Sequence, residues 1–236
     1  MLQYNWNSPL AAEQLLPNTR TFDQGVFSLY KVELSKRNFL QFGLRQDFRS
    51  IQTQSAVPSL KKTYASPNLS VGWSWQPSEV LSNQLNISSG FRAPHLSELL
   101  ADGYHHGALR YEIGDTSLVP ERSLQFDWSS TLNSAHGNIT LNPFYAWVKD
   151  YIYLQPDGST IGGLPVFTYR QFELGRLYGL DLSAHYHPHW LHDLHWEGNF
   201  SYINIKSGED STVSLLPPTR LQNELKYQWS LNGTLR

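Results

Sequence analysis

The sequence has no cysteine and only one methionine. A disulfide scaffold and a thiolate metal site are therefore excluded. Neither sign of charge is in excess, with 18 Lys and Arg against 20 Asp and Glu and a formal net charge of -2. A global positive field that would recommend nucleic acid as a partner is missing. Long apolar runs are missing too, since no window supplies the roughly 18 consecutive apolar residues of a transmembrane helix. That absence leaves a membrane barrel open, because a barrel strand needs only about 9–11 residues with one apolar face. The opening Met1-Leu2-Gln3-Tyr4-Asn5-Trp6 has neither the basic nor the apolar region of a signal peptide. It reads as a cytosolic start or as an internal fragment behind a Met. Nucleophile elbow, Walker loop, dinucleotide fingerprint and His-Glu zinc-protease motif are absent, so no enzyme is expected.

What is present is aromatic and alternating. Aromatic residues make up 14% of the chain while charged residues make up only 16%, a pairing that favours strands with aromatic faces. Residues 1–24 are turn-rich and are expected to be a loop or partial-strand region, with a helical turn over residues 10–16 between Pro9 and Pro17. A hairpin is then predicted to join strands over residues 25–34 and 39–49. In the second of these Leu40, Phe42, Leu44 and Phe48 share one parity, while Gln41, Gly43, Arg45 and Asp47 share the other. Such a strand has one apolar and one wet face.

Residues 50–67 are polar, contain Pro58 and Pro67, and read as a long loop. Leu69, Val71, Trp73 and Trp75 form a period-two stripe interleaved with Ser70, Gly72 and Ser74; Leu85 with Ile87 and Leu124, Phe126 with Trp128 continue the pattern. After a turn at His136-Gly137-Asn138, a strand is expected over residues 139–154, with Pro143 interrupting its ladder. Gln155-Pro156-Asp157-Gly158 is a strong turn signal. Further strands are expected over residues 166–174 and 180–187, joined near Gly175 and Gly179, and over residues 194–205 and 220–229. About ten strands in an antiparallel meander follow, and an all-β fold. A soluble sandwich and a membrane barrel share this pattern. Long strands with Trp and Tyr toward their ends favour the barrel.

Residues 89–121 break the strand-and-turn rhythm. Ser89-Gly90-Phe91-Arg92-Ala93-Pro94 ends a strand, residues 95–101 read as a short helix, and a Gly-, His- and Tyr-bearing loop leads to Pro120-Glu121. Arg92 carries a planar five-donor fork suited to a carboxylate such as Glu98 or Glu121. His105 and His106 point to opposite sides of an extended chain unless Gly103 and Gly107 supply a turn. With Asp102 and Glu112 they make a mixed oxygen and nitrogen set for a divalent cation, provided the loop folds back. A second histidine group, His185, His187, His189, His192 and His195, straddles Pro188. His185 and His187 share a strand face, and imidazole suits zinc, copper, iron or nickel.

The ordered run from Ser89-Gly90-Phe91-Arg92-Ala93-Pro94 through Leu96, Glu98, Leu99, Gly103-Tyr104-His105-His106-Gly107, Glu112-Ile113-Gly114-Asp115 and Leu118, Pro120, Glu121, Ser123 resembles the TonB-dependent outer-membrane receptors. Phe144-Tyr145, Tyr151-Ile152, Gly179-Leu180-Asp181 and Pro217-Pro218-Thr219-Arg220 with Asn223 and Leu225 look like later strand signatures of the same family. The resemblance implies that residues 25–236 are an incomplete barrel domain, the C-terminal part of a 22-stranded transmembrane β-barrel, and Leu235-Arg236 reads as a truncation. It implies energised uptake of a scarce nutrient, such as a metal complex, siderophore, haem or metal ion, across the outer membrane of a Gram-negative cell. No cofactor is expected. The implied partners are a plug domain, the remaining barrel strands, the TonB complex acting through the plug, and outer-membrane lipid. Arg92, Glu98 and Glu121 become structural or plug-facing residues, and His105, His106, Tyr104 and Tyr111 candidate extracellular ligand contacts. The turn over residues 187–193 would lie on the periplasmic side. The competing expectation is a soluble all-β module binding carbohydrate or protein, with Trp73, Trp75, Trp147 and Trp196 stacking on sugars or packed in a core.

Overall fold

The computed structural model describes residues 2–7, 15–54, 59–191, 193–207 and 216–228. Residues 10–14 of the expected helical turn, His192, residues 208–215 of the last polar loop, Trp229 and the terminal Leu235-Arg236 lie outside the described residues.

The strands in chain order are β1 (Leu2–Asn7), β2 (Thr19–Ser35), β3 (Asn38–Thr53), β4 (Lys61–Trp75) and β5 (Leu81–Arg92). A short helix α1 (Leu96–Leu100), then β6 (Asp102–His105), a single 3₁₀ turn (His106–Ala108) and β7 (Arg110–Ile113) follow. The chain continues through β8 (Glu121–Ser134), β9 (Gly137–Ile161), β10 (Leu164–Tyr186), β11 (Leu194–Ser207) and β12 (Arg220–Tyr227). Ten of these form one continuous antiparallel sheet in the order β1-β2-β3-β4-β5-β8-β9-β10-β11-β12. Among the described residues β1 and β12 are its two unjoined edges. The β6–β7 hairpin attaches beside it, with β7 running parallel to β10.

Alternation along each strand becomes, through register, a set of rows across the sheet, because directly opposite residues share a face. One row runs Tyr30, Phe42, Val71, Ile87, Phe126, Tyr145, Tyr178 across seven strands. A row on the opposite face runs Lys31, Gln41, Gly72, Asn86, Asp127, Phe144, Gly179. The first row is not sealed against a second sheet. Tyr30 is 67% exposed, Val71 44% and Phe42 41%, alongside Leu44, Leu69, Trp73, Leu124 and Trp128 on the same face. A sandwich would bury these side chains; a sheet with hydrocarbon on that side leaves them outward.

Connections are short at one end of the sheet, around residues 36–37, 76–80 and 135–136. At the other end lie residues 93–120, the Thr53 end of β3, the Ser207 end of β11 and the far ends of the two longest strands. Short periplasmic turns and longer extracellular connections assign the two sides. With 25 residues β9 has more than twice the roughly 9–11 needed to cross hydrocarbon, so its distal part, paired with β10, stands beyond the membrane on the extracellular side.

Four local expectations are corrected. Strand β2 begins at Thr19, inside the stretch that reads as turn-rich, and β1 pairs with it. Most of residues 50–67 is strand rather than loop, since β3 reaches Thr53 and β4 starts at Lys61. Above the membrane both faces of a ladder meet water, so polar residues there pair as well as apolar ones. The signal at Gln155 to Gly158 does not reverse the chain. Asp157 accepts from the Ser159 amide at 2.8 Å and hydroxyl at 2.7 Å, which makes a local kink, and reversal waits for Gly162 and Gly163 with φ of 58° and 82°. Finally, β10 is one strand across Gly175 and Gly179. A Cβ at Gly179 would meet the Phe144 ring and one at Gly175 the Phe172 ring, so these glycines admit aromatic neighbours and make no turn. Pro143 behaves as expected: β8–β9 pairing lapses between Asp127↔Phe144 and Ser130↔Leu141, while the β10 side keeps Leu180↔Pro143.

A candidate extracellular ligand-contact site

The site begins where β5 and β8 end their pairing, at the directly opposed Arg92 and Glu121. Arg92 Nε and a terminal nitrogen donate to the two Glu121 oxygens at 2.6 and 2.7 Å, and its other terminal nitrogen donates to both Glu98 oxygens at 2.8 and 2.9 Å. One guanidinium thus holds the wall to helix α1, in the planar bidentate geometry that only arginine offers. Both carboxylates have second tasks. Glu98 accepts from the His95 amide at 2.7 Å and completes a capping box with His95 as N-cap. Glu121 accepts from the Ile152 amide at 2.7 Å, beyond the last β8–β9 pair at Arg122↔Lys149.

That junction contains Asp150 at φ 56°, an irregularity that frees backbone groups. Gln171 ties this junction to the backbone just before β8. Its amide nitrogen donates to the carbonyls of Val119 and Asp150, both at 2.7 Å, and its oxygen accepts from the Val119 amide at 3.0 Å. Beneath the segment, Leu99, Leu118 and Ala93 pack with Ile51, Tyr64 and Ile152 of the wall, forming a small buried core. The backbones of α1 and β7 approach closely enough that a Cβ on Gly114 would collide with Leu99, Leu100 and Ala101.

This base carries the β6–β7 hairpin, whose pleat sorts the expected residues. Asp102, Tyr104 and Tyr111 fall on one face, His105, Arg110 and Glu112 on the other. On the first, Tyr111 donates to Asp102 at 2.8 Å and the rings of Tyr104 and Tyr111 meet edge to face at 5.0 Å. Acceptance by Asp102 pushes the Tyr111 phenol above its ordinary pKa. Tyr104 also stacks on His106, with centroids 6.4 Å apart, and its hydroxyl end lies where a side chain on Gly162 would go. On the second face, buried Glu112 accepts from Arg110 at 2.7 Å and from Tyr169 at 3.1 Å, and contacts His105 Nδ1 at 2.8 Å. Burial opposes its charge, yet His105, Arg110 and Tyr169 outweigh that and hold the carboxyl below the ordinary glutamate range.

The four-residue cation set is therefore divided. Asp102 and Glu112 lie on opposite faces, Glu112 is already committed to three partners, and among the described residues Asp102, His105, His106 and Glu112 do not converge into a metal-holding group. What does converge is an exposed tip, His105 to Leu109, standing on Tyr104 and Tyr111. Leu109 closes the tip at φ 49°, a left-handed conformation costly for a side chain of this kind. Sequence reasoning missed Leu109, Arg110, Tyr169 and Gln171. Nothing in their residue types marks them, and Tyr169 and Gln171 reach partners more than fifty residues away.

Since the depressed Glu112 pKa reflects interactions of the charged form, its contribution to stability is complete above the ordinary glutamate pKa and is lost as pH falls through the lowered value. Glu112→Gln should remove that contribution at neutral pH. In near-ultraviolet circular dichroism, the difference between wild type and E112Q should be full above the ordinary glutamate pKa and shrink as pH falls through the lowered value. A difference unchanged at the acid end would show that the carboxylate does not hold the hairpin.

An open antiparallel sheet with an apolar outer face, a wet inner face and an anchored cap at its long-loop end defines the wall of an outer-membrane β-barrel. The chain belongs to the TonB-dependent receptor-like β-barrel family, whose model matches residues 2–236, and its place is the outer membrane of a Gram-negative bacterium. Among solved structures it resembles a copper transporter, OprC, with a TM-score of 0.76 and 17% identity over 90% of this chain and 33% of that one. The Serratia marcescens hemophore receptor HasR, solved with its hemophore and heme, gives 0.74 and 13% over 97% and 45%. The FrpB iron transporter from Neisseria meningitidis gives 0.64 and 19% over 92% and 32%. The chain thus spans about a third to under half the length of these structures. No curated protein sequence matches it.

Proposed function

We propose that this chain supplies barrel wall and extracellular cap to a receptor for energised uptake of a scarce nutrient in the class of metal complexes, siderophores, haem or metal ions. The observation that carries the reading is the exposed His105 to Leu109 tip, held by a clamped base at the extracellular end of a wall with one lipid-facing and one wet face. Unpaired strand edges in hydrocarbon cost several kcal/mol for each exposed backbone group, which argues that further strands join β1 and β12 into a closed barrel. The barrel domain then includes β1, ahead of the residue-25 boundary that the sequence suggests, and is part of a 22-stranded barrel. The wet row through Gln41, Asn86 and Asp127 offers a plug domain a polar seat, and Arg92 with Glu98 and Glu121 fixes the rim above it. A TonB complex would act through that plug to open a path along the wall, with no covalent chemistry.

Ligand contact falls to Tyr104, Tyr111, His105 and His106. Stacked phenol and imidazole groups suit a planar or chelated cargo, which offers π-faces and carboxylate or hydroxyl oxygens. Affinities of haem, a ferric catecholate and a copper salt for the intact protein, extracted from the outer membrane in detergent, test this. One probe should bind, and Tyr104→Ala combined with His106→Ala should weaken it at least about tenfold, the loss of one or two good contacts. Unchanged affinity and selectivity in the double variant would remove the tip from ligand recognition.

A further inference from the structure

At the opposite end of the wall from the cap, β10 and β11 bring together three histidines that the uptake reading does not use. His185 and His195 lie on the wet face, the face that carries Asp181 and Ser201, and His187 follows β10 directly. His185 Nε2 stands 3.1 Å from His195 Nδ1, and the two rings stack at 14°. The His187 ring centroid is 5.6 Å from each of the other two, and one nitrogen from each of the three lies within 4.8 Å of the others. Among the described residues this is the one His, Cys, Asp or Glu group so placed.

We propose that His185, His187 and His195 form a binding site for one divalent ion of the zinc, copper or nickel class at the periplasmic mouth of the lumen. Zinc–imidazole bonds of about 2.0–2.1 Å in a tetrahedron set ligand nitrogens roughly 3.3–3.4 Å apart. The His185–His195 edge already has nearly that length, and closing the site needs a shift of His187 on the order of 1 Å, within reach of side-chain rotation. Its backbone is anchored, since the His187 amide donates to the His136 carbonyl at 2.8 Å, so the ring moves on a fixed base.

The surroundings favour a cation. Glu197 sits directly opposite His185, and Lys226, opposite His195, is held by Glu197 at 3.0 Å and Glu224 at 3.4 Å, so two carboxylates face one ammonium. Three imidazoles without thiolate or free carboxylate suit borderline metals over calcium or magnesium, and three protein ligands leave a fourth position for water or an incoming donor. An outer imidazole, His136, packs on His187 and His189 at 5.5 and 5.0 Å. The site needs neither the cap nor any particular cargo, so it stands apart from the uptake reading.

The test uses the intact protein extracted in detergent, stripped with a chelator and titrated with zinc chloride, then with cobalt chloride to read ligand-field absorption. Wild type should take up about one ion per chain with the strong visible bands of tetrahedral cobalt. His185→Ala and His195→Ala should each lower zinc affinity at least about tenfold and bleach those bands. Should either alanine variant lose its heat-modifiable mobility, His185→Gln and His195→Gln keep the volume and carry the same expectation. Absence of saturable uptake in wild type, or zinc affinity unchanged in folded variants, overturns the proposal.

Discussion

Arg92→Ala should release the extracellular segment from the wall while leaving the sheet intact. The Arg92 side chain is 43% exposed, but its partners Glu98 and Glu121 are 13% and 10% exposed, so the variant strands two nearly buried carboxylates. Breaking a fully buried pair costs about 3–5 kcal/mol; solvent access to the guanidinium reduces that to roughly 2–3 kcal/mol for opening of the segment. Amides of α1, including Leu99 and Ala101, whose partners are the His95 and Ser97 carbonyls, should then exchange roughly 30- to 150-fold faster. Arg92→Lys should fall between, because a point charge satisfies one carboxylate and cannot reproduce both forks. Equal exchange in wild type and R92A would mean that the apolar contacts of Leu99 and Leu118 hold the cap unaided.

The wall was legible in the sequence to the extent that its two solvents differ. Where hydrocarbon lies on one side and water on the other, period-two alternation is enforced. The stripes through Leu40 to Phe48, Leu69 to Trp75 and Leu124 to Trp128 therefore lie on one face of a single sheet, as the alternation predicts. Outside the membrane that constraint ends. Thr63, Ser159 and Thr160 sit in strands without an apolar stripe to announce them, and the ends of β3, β4 and β9 were underestimated accordingly.

The cap shows the same division. Its helix was legible as a short element over residues 95–101 after Pro94, and Arg92 is brought to both Glu98 and Glu121, either of which its fork suits. The sorting of Asp102 from Glu112 depends on a hairpin register that spacing alone does not specify. Gln171 and Tyr169 act through contacts with residues distant in the chain, which local spacing does not announce. His185 and His187 share a parity that sequence shows, whereas the approach of His195 comes from the β10–β11 register.

A matched pair of arginine substitutions separates the two faces of the sheet. Val71 lies within the outward row between Phe42 and Ile87, and Gln41 lies on the wet face between Lys31 and Gly72. Arginine on the lipid side near the midplane costs roughly 2–4 kcal/mol, and in a watery lumen close to nothing. The measurement is the heat-modifiable fraction of the intact protein, assembled into outer membranes and titrated with denaturant. Val71→Arg should lower its unfolding free energy by about that amount, and Gln41→Arg should stay within roughly 0.5 kcal/mol of wild type. If the two variants lose equal stability, or if Gln41→Arg is the more damaged, the apolar row does not face lipid and the barrel-wall assignment is wrong.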